Sequence, residues 1–181
     1  MNKKYWIKYY KDHFMDGESS FAHFCLPYLN GPFMELGCGN GRDLYFFFNK
    51  DKNGLGVDNA FDGMFVLQQD INTFIRQNHS YEHVYTRFLW HAIERELQLK
   101  ILKWTKKWLY IEARTTEDMK LPKTFKHHKR NYVKKEQLLK DLTDNGFEII
   151  KQEEGQGLSP MGDEDPYLIR IIAKKWTKKN K

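Results

Sequence analysis

The sequence predicts a protein of the α/β class, in which a mostly parallel sheet of seven strands lies between layers of helices. Three observations lead to this prediction. Short apolar runs alternate with helical patterns along most of the 181 residues. A glycine-rich turn follows the first apolar run. The last two runs are separated by residues 153–166, which have no helical pattern, so the last strand should be antiparallel to its neighbour.

Two short helices are expected before the sheet, at residues 5–10 and 19–29. Ser19 or Ser20 can cap the second helix, because a hydroxyl accepts a hydrogen bond from a backbone amide of the first turn. The apolar residues on the inner face of that helix are Phe21, Phe24, Cys25 and Tyr28.

Seven strands follow from the apolar runs, at 32–36, 54–58, 64–70, 83–89, 108–114, 147–151 and 167–173. Helices are predicted at 43–49, in the segment with Ile93, Leu97, Ile101 and Trp104 at helical spacing, and at 134–145 before Gly146. Only residues 59–63 separate the second and third strands. This connection is too short for the usual crossover helix, so the fold should be trimmed after strand 2.

The composition indicates one domain with a basic surface. Thirty Lys and Arg against 24 Asp and Glu give a net charge of +6, and part of the excess lies in a basic tail, 174–181. This balance favours anionic partners, or else reflects a solvated surface. The two cysteines, Cys25 and Cys38, suit reduced thiols and a cytoplasmic protein. No apolar run reaches the roughly 18 residues of a membrane helix, so no membrane insertion is expected.

The glycine-rich turn, GCGNG at residues 37–41, comes at the carboxyl end of the first strand. Ligands of open α/β sheets bind at that edge. Asp58 ends the second strand 21 positions after Gly37, which is the spacing at which a carboxylate accepts hydrogen bonds from ribose hydroxyls. Asp70 ends the third strand. The turn and these two carboxylates predict a nucleoside site.

Two related kinds of site fit less well. A P-loop needs Gly-Lys-Ser/Thr, whereas Arg42 and Asp43 follow Gly41. A dinucleotide fingerprint needs a third glycine at the position of Arg42, and Asp70 has no regular role in dinucleotide binding. A nucleoside without a pyrophosphate is therefore favoured over NAD.

These segments together resemble the class I S-adenosylmethionine-dependent methyltransferases. Residues 35–41, 56–58 and 69–71 look like the first, second and third motifs of that family. The resemblance implies a Rossmann-like three-layer sandwich, S-adenosylmethionine as cofactor, and a single methyltransferase domain over 1–181 in which 1–30 form an N-terminal helical cap. In that family the glycine turn approaches the methionine and ribose parts, the second acidic end holds the ribose, and the third reaches the adenine amino group. The cofactor-binding residues implied are Glu35, Gly37, Cys38, Gly39, Asn40, Gly41, Asp58, Asn59, Asp70 and Ile71.

A narrower resemblance is to methyltransferases associated with surface-polysaccharide and tellurite-resistance pathways. It is carried by YW at 5–6, SFA at 20–22, GRD at 41–43, TRFLWHAI at 86–93, IEAR at 111–114 and DPYLIR at 165–170. With no appended recognition domain expected in these 181 residues, a small-molecule or glycan acceptor is favoured. The positive net charge is compatible with a phosphorylated one.

Residues that meet the acceptor should follow the fourth and fifth strands, where Arg87, His91, Glu112 and Arg114 stand. His91 can act as a general base for a hydroxyl or ammonium acceptor, because the ordinary pKa of histidine lies near neutrality. Its ring could equally bind only backbone. Arg87 and Arg114 can clamp an anionic acceptor in bidentate fashion. Alternatively, Arg87 and Glu112 pair with each other across the strand ends.

Three other functions stay open: a cofactor-binding protein without transferase activity, an NAD-dependent oxidoreductase and a nucleic-acid methyltransferase. Nucleic acid is not favoured, because residues 86–89 read TRFL where amino-directed base methyltransferases carry an Asn/Asp-Pro-Pro-aromatic run. The adjacent His127 and His128 point apart and have no third ligand at suitable spacing, so no metal is expected. The sequence does not predict an oligomeric state.

Overall fold

The computed structural model describes residues 3–12, 17–122 and 130–176. The α-helices are α1 (Lys3–Asp12), α2 (Ser20–Cys25), α3 (Arg42–Phe48), α4 (Ile71–Gln77), α5 (Arg95–Trp104) and α6 (Lys135–Asp144), and the 3₁₀ helices are Leu26–Tyr28, Trp90–Ala92 and Thr116–Lys120. The strands are β1 (Phe33–Leu36), β2 (Gly54–Asp58), β3 (Val66–Gln68), β4 (His83–Arg87), β5 (Trp108–Arg114), β6 (Phe147–Gly155) and β7 (Leu168–Lys175). Among the residues described, no helix has the length and apolar character needed to cross a membrane.

The strands form one sheet in the order β3-β2-β1-β4-β5-β7-β6. Strands β1 to β5 are parallel, and β7 is antiparallel to both β5 and β6. The predicted Rossmann-like sheet with an antiparallel last strand is therefore confirmed. The strand order reverses at β1 and β4, because the chain moves outward from β1 to β3 and then returns to the other side of β1. Ligands of such sheets bind beyond the carboxyl ends of the strands at this switch point.

Apolar side chains pack on both faces of the sheet. All four residues of β1 and all seven of β5 are buried, as is usual for strands covered by helices on both sides. One face packs against α4, α5 and α6 through residues such as Phe74, Ile101 and Leu142. The other face packs against α2 and α3 through Phe21 and Phe47. The three layers of the prediction are present.

The connection between β2 and β3, residues 59–65, contains no helix, as the sequence predicted. The amide of Gly56 donates to the carbonyl of Phe65 at 2.8 Å just before β3 begins. β3 itself is shorter than the predicted strand. The prediction also omitted α4, although its residues Ile71, Phe74 and Ile75 recur at helical spacing and are buried.

The last two strands are longer than predicted. β6 continues to Gly155, which shortens the following loop to residues 156–167. β7 includes Lys174 and Lys175, which were assigned to the basic tail, because the amide of Lys175 donates to the carbonyl of Lys107 at 2.7 Å. Since β6 points the same way as β5, the β6–β7 loop lies at the edge of the sheet that carries the glycine turn. Residues 177–181 of the predicted tail lie outside the described residues.

A buried carboxylate, Asp43, ties the N-terminal segment to the sheet. Asp43 Oδ1 accepts a hydrogen bond from the Ser19 amide, and Oδ2 accepts from the hydroxyls of Ser19 and Tyr85, each at 2.7 Å. The Ser19 hydroxyl in turn accepts from the Ala22 amide at 3.1 Å, so Ser19 is the N-cap of α2. The start of α2, the start of α3 and the centre of β4 thus meet at one side chain.

The burial of His83 makes the stability of the folded protein sensitive to acid. Its Nδ1 lies 2.9 Å from the Tyr110 hydroxyl, which donates to the carbonyl of Tyr28 at 2.8 Å. Burial lowers the pKa of His83 from 6.5 to about 4, and the charge of Lys107 adds to this effect. Between these pH values the unfolded chain binds more protons than the folded chain. The contribution of neutral, buried His83 to the free energy of unfolding is therefore intact above pH 6.5 and is lost as the pH falls toward 4.

We predict that His83→Gln will reduce this loss, because glutamine cannot take up the proton. Urea unfolding at about pH 7 and about pH 4.5 should show a smaller drop in the free energy of unfolding for the variant than for the wild type. His79→Gln, at an exposed position, is the matched control and should leave the drop unchanged. Equal drops in the His83 variant and the wild type would contradict the assignment.

Candidate functional site

Three glycines shape the turn after β1, and all have a left-handed backbone. The φ angle is +73° at Gly37, +57° at Gly39 and +76° at Gly41, values that residues with a Cβ rarely adopt. A Cβ on Gly37 would also lie 3.0 Å from Leu89 Cδ1, and one on Gly41 would lie 3.2 Å from Val66 Cγ2. The turn therefore packs tightly between β3 and the segment that follows β4.

Cys38 and Asn40 occupy the two remaining positions of the turn. The amide of Gly41 donates to the carbonyl of Cys38 at 3.0 Å, which folds the chain back around the half-buried Asn40. The Cys38 side chain is buried, and a Cβ on Gly56 would lie only 2.5 Å from its Sγ. Burial raises the pKa of the Cys38 thiol well above its ordinary value, and Glu35 adds to this effect. The Cys38 side chain therefore packs against β2. If Cys38 contributes to cofactor binding as predicted, it does so through its backbone atoms.

Asp58 joins the glycine turn to the end of β2. Its Oδ2 accepts a hydrogen bond from the Gly39 amide at 3.0 Å, and its Oδ1 accepts from the Ala60 amide at 2.8 Å. Burial raises the pKa of Asp58, while the amides of Ala60 and Gly39 act in the opposite direction. Each oxygen of an ionised carboxylate can accept a second hydrogen bond. The amide of Phe61 also acts on this carboxylate, and acceptor capacity remains for a ribose hydroxyl.

Two further acceptor atoms at the ends of β1 and β2 have no hydrogen-bond partner among the described residues. They are Glu35 Oε2, on a side chain that is 3% exposed, and Asn59 Oδ1. Burial raises the pKa of Glu35 well above its ordinary range, and the carboxylate of Asp43 adds to this effect. Buried polar atoms without partners are rare in proteins. Their presence beside the glycine turn fits a site that binds a polar ligand.

Asp70 and Ile71 stand at the start of α4 and not beside the turn. The exposed Asp70 is the N-cap of that helix, and its Oδ1 accepts from the Thr73 amide at 3.0 Å. The side chain of Ile71 is buried in the apolar core. The roles expected for these two residues at the adenine stay predictions, and the side chain of Ile71 faces away from solvent.

On the acceptor side, Glu112 of β5 binds two arginines. Arg87 of β4 donates from Nε to Glu112 Oε1 at 2.9 Å, and Arg170 of β7 donates from Nε to Oε2 at 2.7 Å. The hydroxyl of Ser159, in the β6–β7 loop, donates to the same carboxylate at 3.1–3.2 Å. The Arg87–Glu112 pair considered in the sequence analysis is present. Ser159 and Arg170 were not predicted as partners, because both are distant from Glu112 along the chain.

His91 and Arg114 are both buried and contact each other. The Arg114 amide donates to His91 Nδ1 at 3.1 Å, so the neutral ring carries its proton on Nε2. The Arg114 guanidinium donates from Nη1 to Asp118 at 3.0 Å and to Glu164 at 2.7 Å. It therefore ties the 3₁₀ helix after β5 to the β6–β7 loop. This arrangement leaves the predicted clamp on an anionic acceptor to Arg87 rather than to Arg114.

Three of the four predicted acceptor-side residues lie around the ring of Phe88. Arg87 Cζ lies 4.4 Å and Arg114 Cζ 5.9 Å from the ring centroid, and the His91 ring approaches at 5.6 Å in an edge-on geometry. Phe88 has a φ of +54°, a strained value for a bulky residue, and such strain concentrates at functional sites. Nothing in the residue type signals this conformation, and the sequence analysis did not single out Phe88.

The carboxyl edge of the sheet thus carries two adjacent groups of predicted residues. The first comprises Glu35, the glycine turn, Asp58 and Asn59, and the second lies around Phe88. They meet where Leu89 packs on Gly37. His127 and His128 lie outside the described residues. Within residues 3–12, 17–122 and 130–176, no group of three acidic, histidine or cysteine side chains is arranged to hold a metal ion.

Solved structures share this fold at low sequence identity, although neither a protein-family model nor a curated protein sequence matches the chain. A SAM-dependent methyltransferase from Archaeoglobus fulgidus is similar with a TM-score of 0.64 and 18% identity, over 84% of this chain and 90% of that one. The 1,6-didemethyltoxoflavin-N1-methyltransferase of Burkholderia thailandensis, with bound 1,6-didemethyltoxoflavin and S-adenosylhomocysteine, is similar with a TM-score of 0.69 and 11% identity. The match covers 97% of this chain and 87% of that one. The magnesium protoporphyrin IX methyltransferase of Synechocystis PCC 6803, with bound SAH, is similar with a TM-score of 0.62 and 14% identity, over 87% of this chain and 80% of that one. The chain therefore has the Rossmann-like fold of the methyltransferases.

We predict that Asp58→Ala will weaken binding of S-adenosylhomocysteine by more than about tenfold, because two hydrogen bonds to a charged acceptor are lost. Isothermal titration calorimetry measures the change, and the melting temperature of the variant checks that it is folded. The control is Asp62→Ala, which removes an exposed carboxylate from the same connection. An unchanged dissociation constant for Asp58→Ala would contradict the ribose assignment.

A second prediction concerns the packing beneath the turn. Gly56→Ala places a Cβ against Cys38 Sγ and should displace the glycine turn, which lowers both the melting temperature and the affinity for S-adenosylhomocysteine. Adding Cys38→Ala removes the sulfur and should restore part of both losses, which differential scanning fluorimetry and titration can measure. Losses in the double variant as large as in Gly56→Ala would show that the sulfur contact is not the cause.

Proposed function

We propose that this protein transfers a methyl group from S-adenosylmethionine to a small or saccharide-linked acceptor. The observation that carries the proposal is the hydrogen bond between Asp58 and the Gly39 amide. It sets a carboxylate against a left-handed glycine turn at the switch point of a methyltransferase fold. Two of the structural neighbours named above have S-adenosylhomocysteine bound.

The residues around the turn suit the parts of that cofactor. The two oxygens of Asp58 would accept hydrogen bonds from the ribose hydroxyls, and Asn59 Oδ1 is a further acceptor beside them. The backbone at Gly37 and Gly39, without side chains in the way, would lie against the methionine and ribose parts. Glu35 Oε2, buried and without a partner among the described residues, is an acceptor for the amino group. Asp70 would reach the adenine from the start of α4.

When bound, S-adenosylmethionine supplies a methyl group on a positively charged sulfur. The protein mainly has to align an acceptor with that carbon and exclude water. A carboxylate or phosphate acceptor needs no base, whereas a hydroxyl or ammonium acceptor does. His91 Nδ1 accepts from the Arg114 amide, so in the neutral ring Nε2 carries the proton. The neutral ring then has no open acceptor nitrogen with which to deprotonate an acceptor. We therefore favour an acceptor that needs no base.

The acceptor class follows from what stands at the end of β4. Residues 86–89 there place Arg87 and Phe88 where amino-directed base methyltransferases carry their proline-rich run. Arg87 suits an anionic acceptor, and the prolines of the base methyltransferases are absent from this run. The narrower resemblance to enzymes of surface-polysaccharide and tellurite-resistance pathways supports the same class. The two free cysteines support a reducing, cytoplasmic setting.

A cofactor-binding protein without transferase activity is a second candidate. The observation in its favour is the absence of a helix between β2 and β3, at residues 59–65. Without that helix, one side of the predicted adenine site is formed by a short connection. A protein of this kind would bind the cofactor and give no product.

Turnover separates these functions. The protein is incubated with S-adenosylmethionine and the small-molecule fraction of a cell extract, and S-adenosylhomocysteine is measured by mass spectrometry. We expect product that depends on the fraction and is absent with Asp58→Ala. Tight binding of S-adenosylhomocysteine with no product across fractions would support the binding protein. Stabilisation by NAD but not by S-adenosylhomocysteine would overturn the proposal in favour of an oxidoreductase.

A further inference from the structure

We infer that Arg42 and Arg87 together bind an oxyanion, a carboxylate or phosphate group, between the start of α3 and the end of β4. The inference rests on the proposed function, since the oxyanion would belong to the acceptor or to the methionine part of the cofactor. It replaces the pairing of Arg87 with Arg114 that the sequence favoured, and it assigns a role to Arg42, which the sequence analysis treated only as a missing glycine.

The backbone brings the two arginines to the same place. Arg87 and Tyr85 are two residues apart in β4 and so project from the same face of the sheet. Tyr85 donates from its hydroxyl to Asp43 at 2.7 Å, and Asp43 follows Arg42 directly in α3. The face that carries Arg87 is therefore the face that α3 covers. The two guanidinium groups are close enough that the charge of Arg87 affects the ionisation of Arg42.

Both arginines have hydrogen-bond donors without partners. Arg87 uses only Nε, which donates to Glu112, and within the part of the chain that the structure describes its two Nη atoms make no hydrogen bond. Among the same residues Arg42 makes no hydrogen bond at all, and its nearest carboxylate oxygen, Asp43 Oδ1, is 3.9 Å from Nε. Yet the side chains are only 17% and 12% exposed, for Arg42 and Arg87 respectively. None of these guanidinium nitrogens is among the fully buried, unpaired atoms of the described residues, so the unused donors reach solvent and are available to a ligand.

Burial lowers the pKa of Arg87, but the charges of Glu112 and Asp43 outweigh burial and raise it overall, so the carboxylates stabilise Arg87 more than Arg42. Asp43 already accepts three hydrogen bonds from Ser19 and Tyr85, and Glu112 is shared with Arg170. Burial raises the pKa of Glu35, which limits its negative charge. Burial also lowers the pKa of Arg42, and the charge of Arg87 lowers it further. An oxyanion between the two groups would remove this repulsion and accept charge-assisted hydrogen bonds from both.

Two sources of the oxyanion can be told apart with three probes. S-adenosylhomocysteine carries a carboxylate, and 5′-methylthioadenosine is the same nucleoside without the amino-acid part. Inorganic phosphate, added to protein saturated with S-adenosylhomocysteine, stands for an anionic acceptor. Calorimetry gives the three dissociation constants for the wild type, Arg42→Gln and Arg87→Lys.

Arg42→Gln is the main variant because it breaks no hydrogen bond among the described residues, whereas Arg87→Lys keeps the charge that Glu112 needs. Arg95→Gln is the control for charge, since it removes an equal charge from α5, where the exposed Arg95 pairs with the buried Asp141. Melting temperatures of all variants check that they are folded.

If the oxyanion belongs to the cofactor, both variants should weaken S-adenosylhomocysteine by about tenfold or more and leave 5′-methylthioadenosine unchanged. If it belongs to the acceptor, both nucleosides should bind as before, and phosphate affinity should fall by a similar factor. Arg95→Gln should do neither. The inference is overturned if S-adenosylhomocysteine binds but neither variant differs from the control with any probe. A protein that binds neither nucleoside overturns the proposed function instead, and the phosphate titration without nucleoside then tests the arginine pair alone.

Discussion

The buried carboxylate of Glu112 is the interaction on which the acceptor side of the molecule depends. It binds Arg87 from β4, Arg170 from β7 and Ser159 from the β6–β7 loop. Arg170 extends the contact to α2 by donating to the Ser20 hydroxyl at 2.6 Å. Removing one partner of a buried ion pair typically costs about 3–5 kcal/mol, because the other charge stays uncompensated. The Glu112 side chain therefore helps to fix β4, β7, the β6–β7 loop and, through Arg170, α2 relative to β5.

The charges beside Glu112 alternate in sign across the sheet. Arg87 stands opposite Glu112 on the neighbouring strand, Glu112 opposite Arg170, and Arg170 opposite Glu153. Such cross-strand pairs stabilise a sheet. Within this row Arg170 has a carboxylate on each side, whereas Arg87 stands at the end nearest the switch point and has only Glu112. The network that fixes the strands thus also presents a cation with unused donors where a ligand would bind.

The glycine turn and Asp58, which are predicted to meet the cofactor, could be located from the sequence because their determinants are local. Each glycine of the turn signals its own left-handed φ, and Asp58 follows at a spacing set by one parallel unit. The acceptor side depends on contacts between residues far apart, such as Ser20 and Arg170. Neither the hydrogen bond from the Arg114 amide to His91 nor the left-handed φ of Phe88 can be inferred from residue type. The helix α4 was missed for a different reason, since it is too short for its periodicity to stand out.

The helix-free connection between β2 and β3 has a consequence for how the sheet responds to a ligand. β3 has three residues and one strand neighbour. Leu67 within it is 52% exposed, and Met64 just before it is 83% exposed. Few buried contacts mean a low free energy of local opening. The same segment follows Asp58 and leads to Asp70. If the proposed cofactor binds at Asp58 and Asp70, its binding would order this edge, and part of its intrinsic binding free energy would be spent on that ordering instead of appearing as affinity.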